Sequence, residues 1–393
     1  MLRVGSSALV NVTEDAELRL VRHLAEIAES PSKTFVDACE ACISCGDAAK
    51  LMEIILAEKV VIQALSLDDE AVSAVSLLAA LLDRTKDSQL VQQLADSLVQ
   101  VSTNTTKTIS LLATLYNMRS DALEKVALMV KMIRLASKGE PALLDQHTSD
   151  LGKWMDASLL PRMLDEWSVE PSERRALYLA ASDGASVPLV KQRFTLLVLE
   201  TYSTSDLDAQ ALKVAEQAAL GVIRDPITLF EQQRHVLSLP AIRALKEKSP
   251  NLFELLNIMQ EGKLEDYYYF IQSNGVGILQ QWEGITPENC VRHMRILSLC
   301  SVASALEEIP YQVVADTLQT KLEDVEMWVI AAVSSGLLTA KMDQLRGSVV
   351  VERCVVRKFD LDQWKALQSR LHLWKYNVGR ILDAYRQTLQ NQQ

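Results

Sequence analysis

A chain of 393 residues with 49% hydrophobic and 23% charged side chains has the balance of a folded protein of more than one domain, not of a disordered one. Its net charge of −11 and 5% aromatic content exclude a generally basic nucleic-acid binder and a broad stacking platform for single strands. With 13 Gly and 10 Pro, punctuation is sparse, which favours long helices over the turns of an all-β chain.

The first residues, MLRVGSSALVNVTED, hold no apolar run of signal-peptide length. The most apolar stretches, Ala71–Leu82 and Val325–Leu338, are too short to span a bilayer. The expectation is a cytoplasmic chain without membrane contact, in which the sequons at Asn11 and Asn104 are chance matches. In such a compartment the six cysteines are reduced thiols. Cys39, Cys42 and Cys45 imitate the start of a metal-ligand run, but they fall at helical spacing with no fourth cysteine or histidine nearby. They read as small buried core residues, with a metal site completed by a distant ligand such as Cys290 as the alternative.

From Thr13 to about Ile271 nearly every segment has the period of an amphipathic helix. The first starts at Thr13 and carries Leu18, Val21, Leu24, Ala25 and Ala28 as its stripe. Further starts are expected at Ser66–Asp69, Ser120–Asp121, Ser172–Glu173, Asp206 and Ser249–Pro250. Breaks are expected at Ser30–Pro31, Gly139–Pro141, Val169–Pro171, Asp183–Gly184 and Asp225–Pro226. Helices at this density, joined by short connections, predict an α-solenoid of hairpins without a named repeat. Leu196, Leu197, Leu199, Leu212, Val214, Ala215 and Ala218 are expected core positions.

After Gly262 an aromatic run, Tyr267–Phe270, precedes the loop Ser273–Gly275 and reads as core packing. Three helices are then expected, from Pro287 to Leu306, Tyr311 to Leu318 and Leu322 to Ser335, the last closed by Gly336. The period shifts to β over Leu337–Met342 and Val349–Val356, with Arg346–Ser348 as the turn. Three helices and a hairpin are the layout of a winged helix.

Most winged helices read DNA with the third helix. Here that helix has no Lys or Arg from Leu322 to Ala340, and Glu323, Asp324 and Glu326 would repel phosphate. Val325, Trp328, Val329, Ile330 and Val333 read as a packing face, so the module is expected to contact protein. The wing carries Lys341, Arg346, Arg353, Arg357 and Lys358. These read as guards on a hairpin edge, with a weak RNA contact as the alternative.

From Asp360 and Asp362 to about Leu389 an unbroken helix is predicted, about 45 Å long at 1.5 Å per residue. Trp364, Leu367, Leu371, Trp374, Val378, Ile381 and Tyr385 recur at alternating spacings of three and four, a heptad seam. The seam suits either folding back on the chain or an inter-subunit bundle, and its aromatic residues favour the bundle. No Walker loop, dinucleotide fingerprint, H-E-x-x-H or nucleophile elbow occurs, and the five histidines are scattered. No catalysis, cofactor or small-molecule substrate is expected.

The expected architecture is therefore all-α with a small α+β module: an α-solenoid of helical hairpins, a winged helix and a long C-terminal helix. This order resembles the PCI-domain subunits shared by the proteasome lid, the COP9 signalosome and eukaryotic translation initiation factor three. The likeness is carried by EDVEMWVIAAVSSGLLTAKMDQLRGSVVVERCVVRKF and the following DLDQWKALQSRLHLWKYNVGRI, with support from ACEACISC and LEDYYYFIQSN. It is greatest to the initiation-factor members. The resemblance implies a helical-repeat domain over 1–190, a PCI domain over 191–359 (helical part 191–286, winged helix 287–359) and a bundle helix over 360–393. It implies a non-catalytic scaffold whose partners are other PCI and initiation-factor subunits. Through its complex such a scaffold meets the small ribosomal subunit and supports recruitment of initiator tRNA and mRNA. The implied wing contact runs through Val349, Val351, Arg353 and Val355. The implied bundle contact is the seam from Trp364 to Tyr385. A signalosome or lid subunit, or an RNA-binding adaptor acting through the wing, are the other readings.

Overall fold

The computed structural model describes residues 14–28, 33–67, 70–85, 87–101, 104–145, 150–231, 236–357 and 361–390. Asn11, Thr13, the Ser30–Pro31 break, Asp69, His147, His235, Lys358 and Asp360 lie outside them. The chain forms two compact units, Met1–Ala218 and Ala219–Gln393.

In the first unit the described secondary structure is helical, as the period predicts. Short polar side chains start the helices by taking up otherwise unpaired N–H groups. Asp47 accepts from Lys50 N, Asp87 from Gln89 N and Asp121 from Glu124 N. Asn104, a sequon residue, does the same for Lys107 N. Two starts shift from expectation. One helix begins on Pro171, whose missing N–H suits the first turn. Another begins at Ala209, where Asp208 rather than Asp206 caps Ala211 N at 2.6 Å.

Helices stack on neighbours across the hairpins. Ala122–Gly139 packs on both Thr105–Met118 and Pro171–Gly184, and the latter packs on Pro188–Glu200. Burial follows the stripes: Leu78, Leu81, Leu82, Leu94, Leu112, Met129 and Ile133 are all fully enclosed. Of the expected core positions Leu212 is only half-buried, and Ala211 is enclosed instead. One ion cluster is enclosed with them. Arg119 Nε donates to Glu124 at 2.6 Å and its Nη1 to Asp83 at 2.7 Å, with the Arg119 and Glu124 side chains both buried.

The second unit runs through the helices Pro240–Lys248, Pro250–Glu261 and Leu264–Asn274, each packed on the next. In the aromatic run Tyr267 and Phe270 are core, whereas Tyr269 is 70% exposed, a correction to its reading as packing. The winged helix follows. Its first helix, Pro287–Ala303, is capped by Thr286 and ends three residues before the expected Leu306. Then come β1 (Glu308–Pro310), the helix Tyr311–Leu318, a 3-10 turn at Leu322–Asp324 and the third helix, Val325–Ser334. The hairpin is β2 (Leu338–Asp343) and β3 (Ser348–Cys354).

The sheet is antiparallel with order β1-β3-β2, so β3 is its central strand. Strand β1 leaves no mark in the sequence pattern, because three residues ending in proline carry no period-2 alternation. Ile296, Leu297, Cys300, Ile309, Val314, Leu318, Val325, Val329, Leu337, Leu338 and Val349 close the core beneath the sheet. Gly336 stands at φ 76 with nothing within 4 Å of an added Cβ. Gly336→Ala therefore meets backbone strain alone and should cost about 1–2 kcal/mol, read as a lower denaturant midpoint at unchanged slope.

Candidate protein-interaction surface

Three features of the second unit are exposed: the third helix of the winged helix, the edge of its sheet and the C-terminal helix. The third helix is amphipathic in an unusual sense. Val325, Val329 and Ala332 face the core, and Trp328 is half-buried with the Arg295 guanidinium 5.0 Å from its ring. The opposite face is also apolar. Met327 is 55% and Ile330 53% exposed, with Val333 beside them. The expectation that Ile330 and Val333 serve packing is thus corrected: they are at the surface, because an α-helix against a single core can bury only one side. Glu326 fixes this face in place, accepting from the Tyr311 hydroxyl at 3.2 Å and from Gln344 Nε2 at 3.1 Å.

The sheet withdraws Val349 from the expected wing contact. Val349 is wholly buried and Val351 and Val355 pack half-buried against the core, while Arg353 is exposed. Strand β3 is paired along its length by β2 and at Ser348, Val349 and Val350 by β1, so that half of β3 has no free edge to offer. The open edge of length is β2, since β1 is short and ends at Pro310. The expected basic patch also disperses. Lys341 Nζ pairs with Glu352 at 2.5 Å, which raises its pKa, and Arg346 lies 3.8 Å from Asp343. Arg357 is not on the wing surface at all. Its Nη1 donates to Ser301 Oγ at 3.1 Å and its Nη2 to the Met259 carbonyl at 3.0 Å, over the ring of Phe230. Burial brings its guanidinium down to about 10.

The C-terminal helix, Leu361–Gln390, matches the predicted length. Every seam residue is exposed: Trp364, Leu367, Leu371, Trp374, Val378, Ile381 and Tyr385. Sequence periodicity missed a second apolar set. Leu373 and Tyr376, also exposed, lie on the far side of the helix from the seam. The helix therefore shows apolar side chains to solvent on more than one face.

The cysteine run near the chain start does not behave as a uniform set. Cys39 is buried, Cys42 half-buried and Cys45 exposed, which corrects the expectation that all three are core. Burial, with Cys42 as a lesser cause, pushes the Cys39 thiol up to about 11. Among the described residues no group of three or more His, Cys, Asp or Glu is placed to hold a metal ion.

A helical array running into a winged helix of this order defines a class, and the PCI domain family model matches residues 278–353. Over these residues the chain is similar to the PCI domain. The model for the eIF3 subunit M C-terminal helix matches residues 357–384, the segment bearing the exposed seam. Over most of its length the chain is similar to proteins named eukaryotic translation initiation factor 3 subunit M. That of Phaeosphaeria nodorum is 30% identical over 285 residues, 70% of this chain and 61% of the relative. That of Dictyostelium discoideum is 27% identical over 302 residues, covering 74% and 71%. That of Aspergillus terreus is 27% identical over 338 residues, covering 81% and 71%. The match thus spans about three fifths of the first of these relatives.

Proposed function

We propose that this chain is a non-catalytic scaffold subunit of a translation initiation factor three complex, working in the cytoplasm. The observation that carries the reading is the C-terminal helix. A segment similar to the subunit M C-terminal helix presents its whole heptad seam, and apolar residues opposite it, to solvent. Such a helix is completed by helices of other subunits, packing a/d-type residues into their grooves. The partner-binding residues are Trp364, Leu367, Leu371, Trp374, Val378, Ile381 and Tyr385.

The winged helix contacts a second PCI subunit edge-on. With β3 enclosed, that contact falls to β2, joined by Arg353 and the exposed flank of Val351 and Val355. Residues 1–190 serve as the helical-repeat arm, 191–359 as the PCI domain and 360–393 as the bundle helix. The assembled complex sits on the small ribosomal subunit and supports recruitment of initiator tRNA and mRNA. Among the described residues no helix is long and apolar enough to cross a membrane. The dispersed wing charges give the RNA-adaptor reading no added support.

The reading is tested by mild affinity purification of the tagged chain from cytosol, with co-purifying proteins identified by mass spectrometry. Recovery of PCI subunits together with small-ribosomal-subunit proteins is expected. Signalosome or proteasome-lid subunits without ribosomal proteins would keep the architecture and overturn the assignment.

A further inference from the structure

Two free thiols meet beneath the winged-helix sheet. Cys300 lies near the end of the first helix of the module, and Cys354 is the last residue of β3. The strand register brings them together. Cys354 pairs with Leu338 and turns into the core that contains Cys300. Its Sγ stands 3.2 Å from the Cys300 carbonyl oxygen, to which it donates, so the two residues are in direct contact in that core.

The pair is asymmetric. Cys300 is fully buried, whereas Cys354 is half-buried at the rim. A small oxidant arriving from solvent therefore meets Cys354 first. The Cys300 thiol holds the Cys354 pKa below the ordinary value, while the same contact and burial push Cys300 far above it. Access falls on one sulfur, with the second residue packed directly behind it.

We propose that Cys300 and Cys354 form an oxidant-responsive pair that a hydroperoxide closes to a disulfide, cross-linking the first helix of the module to the central strand of the sheet. The Cys354 thiolate attacks the peroxide O–O bond, taking one oxygen to become the sulfenic acid and releasing hydroxide. The Cys300 sulfur then displaces that oxygen, the S–S bond forms, and the oxygen leaves as water with the proton Cys300 gives up. Two thiols lose two electrons in all, and one hydrogen peroxide becomes two waters. The link fixes the end of β3 just before the C-terminal helix begins at Leu361.

The test exposes the full-length chain to stoichiometric hydrogen peroxide, alkylates the remaining thiols on denaturation and maps the peptides by mass. The expected product is a Cys300–Cys354 cross-linked peptide, two hydrogens lighter than its parts and undone by dithiothreitol. Cys354→Ser should abolish it without loss of helical circular dichroism. Cys300→Ser should leave Cys354 as a sulfenic acid that dimedone traps. Recovery of both residues fully alkylated while Cys42 and Cys45 oxidise would overturn the proposal. So would a cross-link that forms only in denaturant.

Discussion

Trp374→Asp combined with Ile381→Asp is expected to release the chain from its complex while leaving the isolated chain folded. The two side chains are 69% and 68% exposed, so the folded chain gives up almost no burial when they are lost. In a bundle they would be seam residues at the centre of the contact. Truncation of a buried interface anchor costs about 2–4 kcal/mol, and each new carboxylate would also be desolvated. Together the two changes weaken association by about a thousandfold or more. Co-purification and thermal unfolding of wild type and variant, run side by side, separate the effects. Retention at the wild-type level with both aspartates in place would remove the bundle from consideration. A matching Leu373→Asp variant asks about the other face: loss of association there too would mean that the helix is contacted on two sides.

The second large effect is expected inside the helical array. Arg119→Ala removes the partner of Glu124, whose carboxylate stays enclosed, and leaves Asp83 exposed as before. Breaking a buried pair from one side costs about 3–5 kcal/mol, because the surviving charge is uncompensated. Replacing both residues, Arg119→Met with Glu124→Leu, should recover most of that loss, since apolar groups of similar size fill the site. Denaturant unfolding of the three chains decides the matter. A single substitution as mild as the double one would mean that water reaches Glu124.

How far the amino-acid pattern anticipates this fold depends on the kind of information each element needs. The C-terminal helix is legible because its heptad is local and uninterrupted from Trp364 to Tyr385. Gly336 is legible because a left-handed turn after a helix selects glycine. Val349 is different. Alternation says that it lies on one face of a strand, but not that β1 will close the second edge of that strand and bury it. Arg357 follows a basic wing in sequence and looks like part of it. Only the fold brings Met259, Ser301 and Phe230 around its guanidinium. Ile330 and Val333 mislead in the opposite direction: apolar residues on a short helix suggest core, yet one core cannot cover two faces. These three errors concern burial set by residues distant in sequence, whereas β1 is missed because three residues are too few for a strand period.

The inequality of the sheet's two edges bears on stoichiometry. On one side β1 is three residues long and ends in a proline that has no N–H to lend a further strand. On the other, β2 runs for six residues. A sheet open along one side only has a polarity: it accepts a single neighbour through that side and cannot template an indefinite row of copies. An assembly that uses it would place this chain at a terminus of any continuous sheet, with further growth left to the helices.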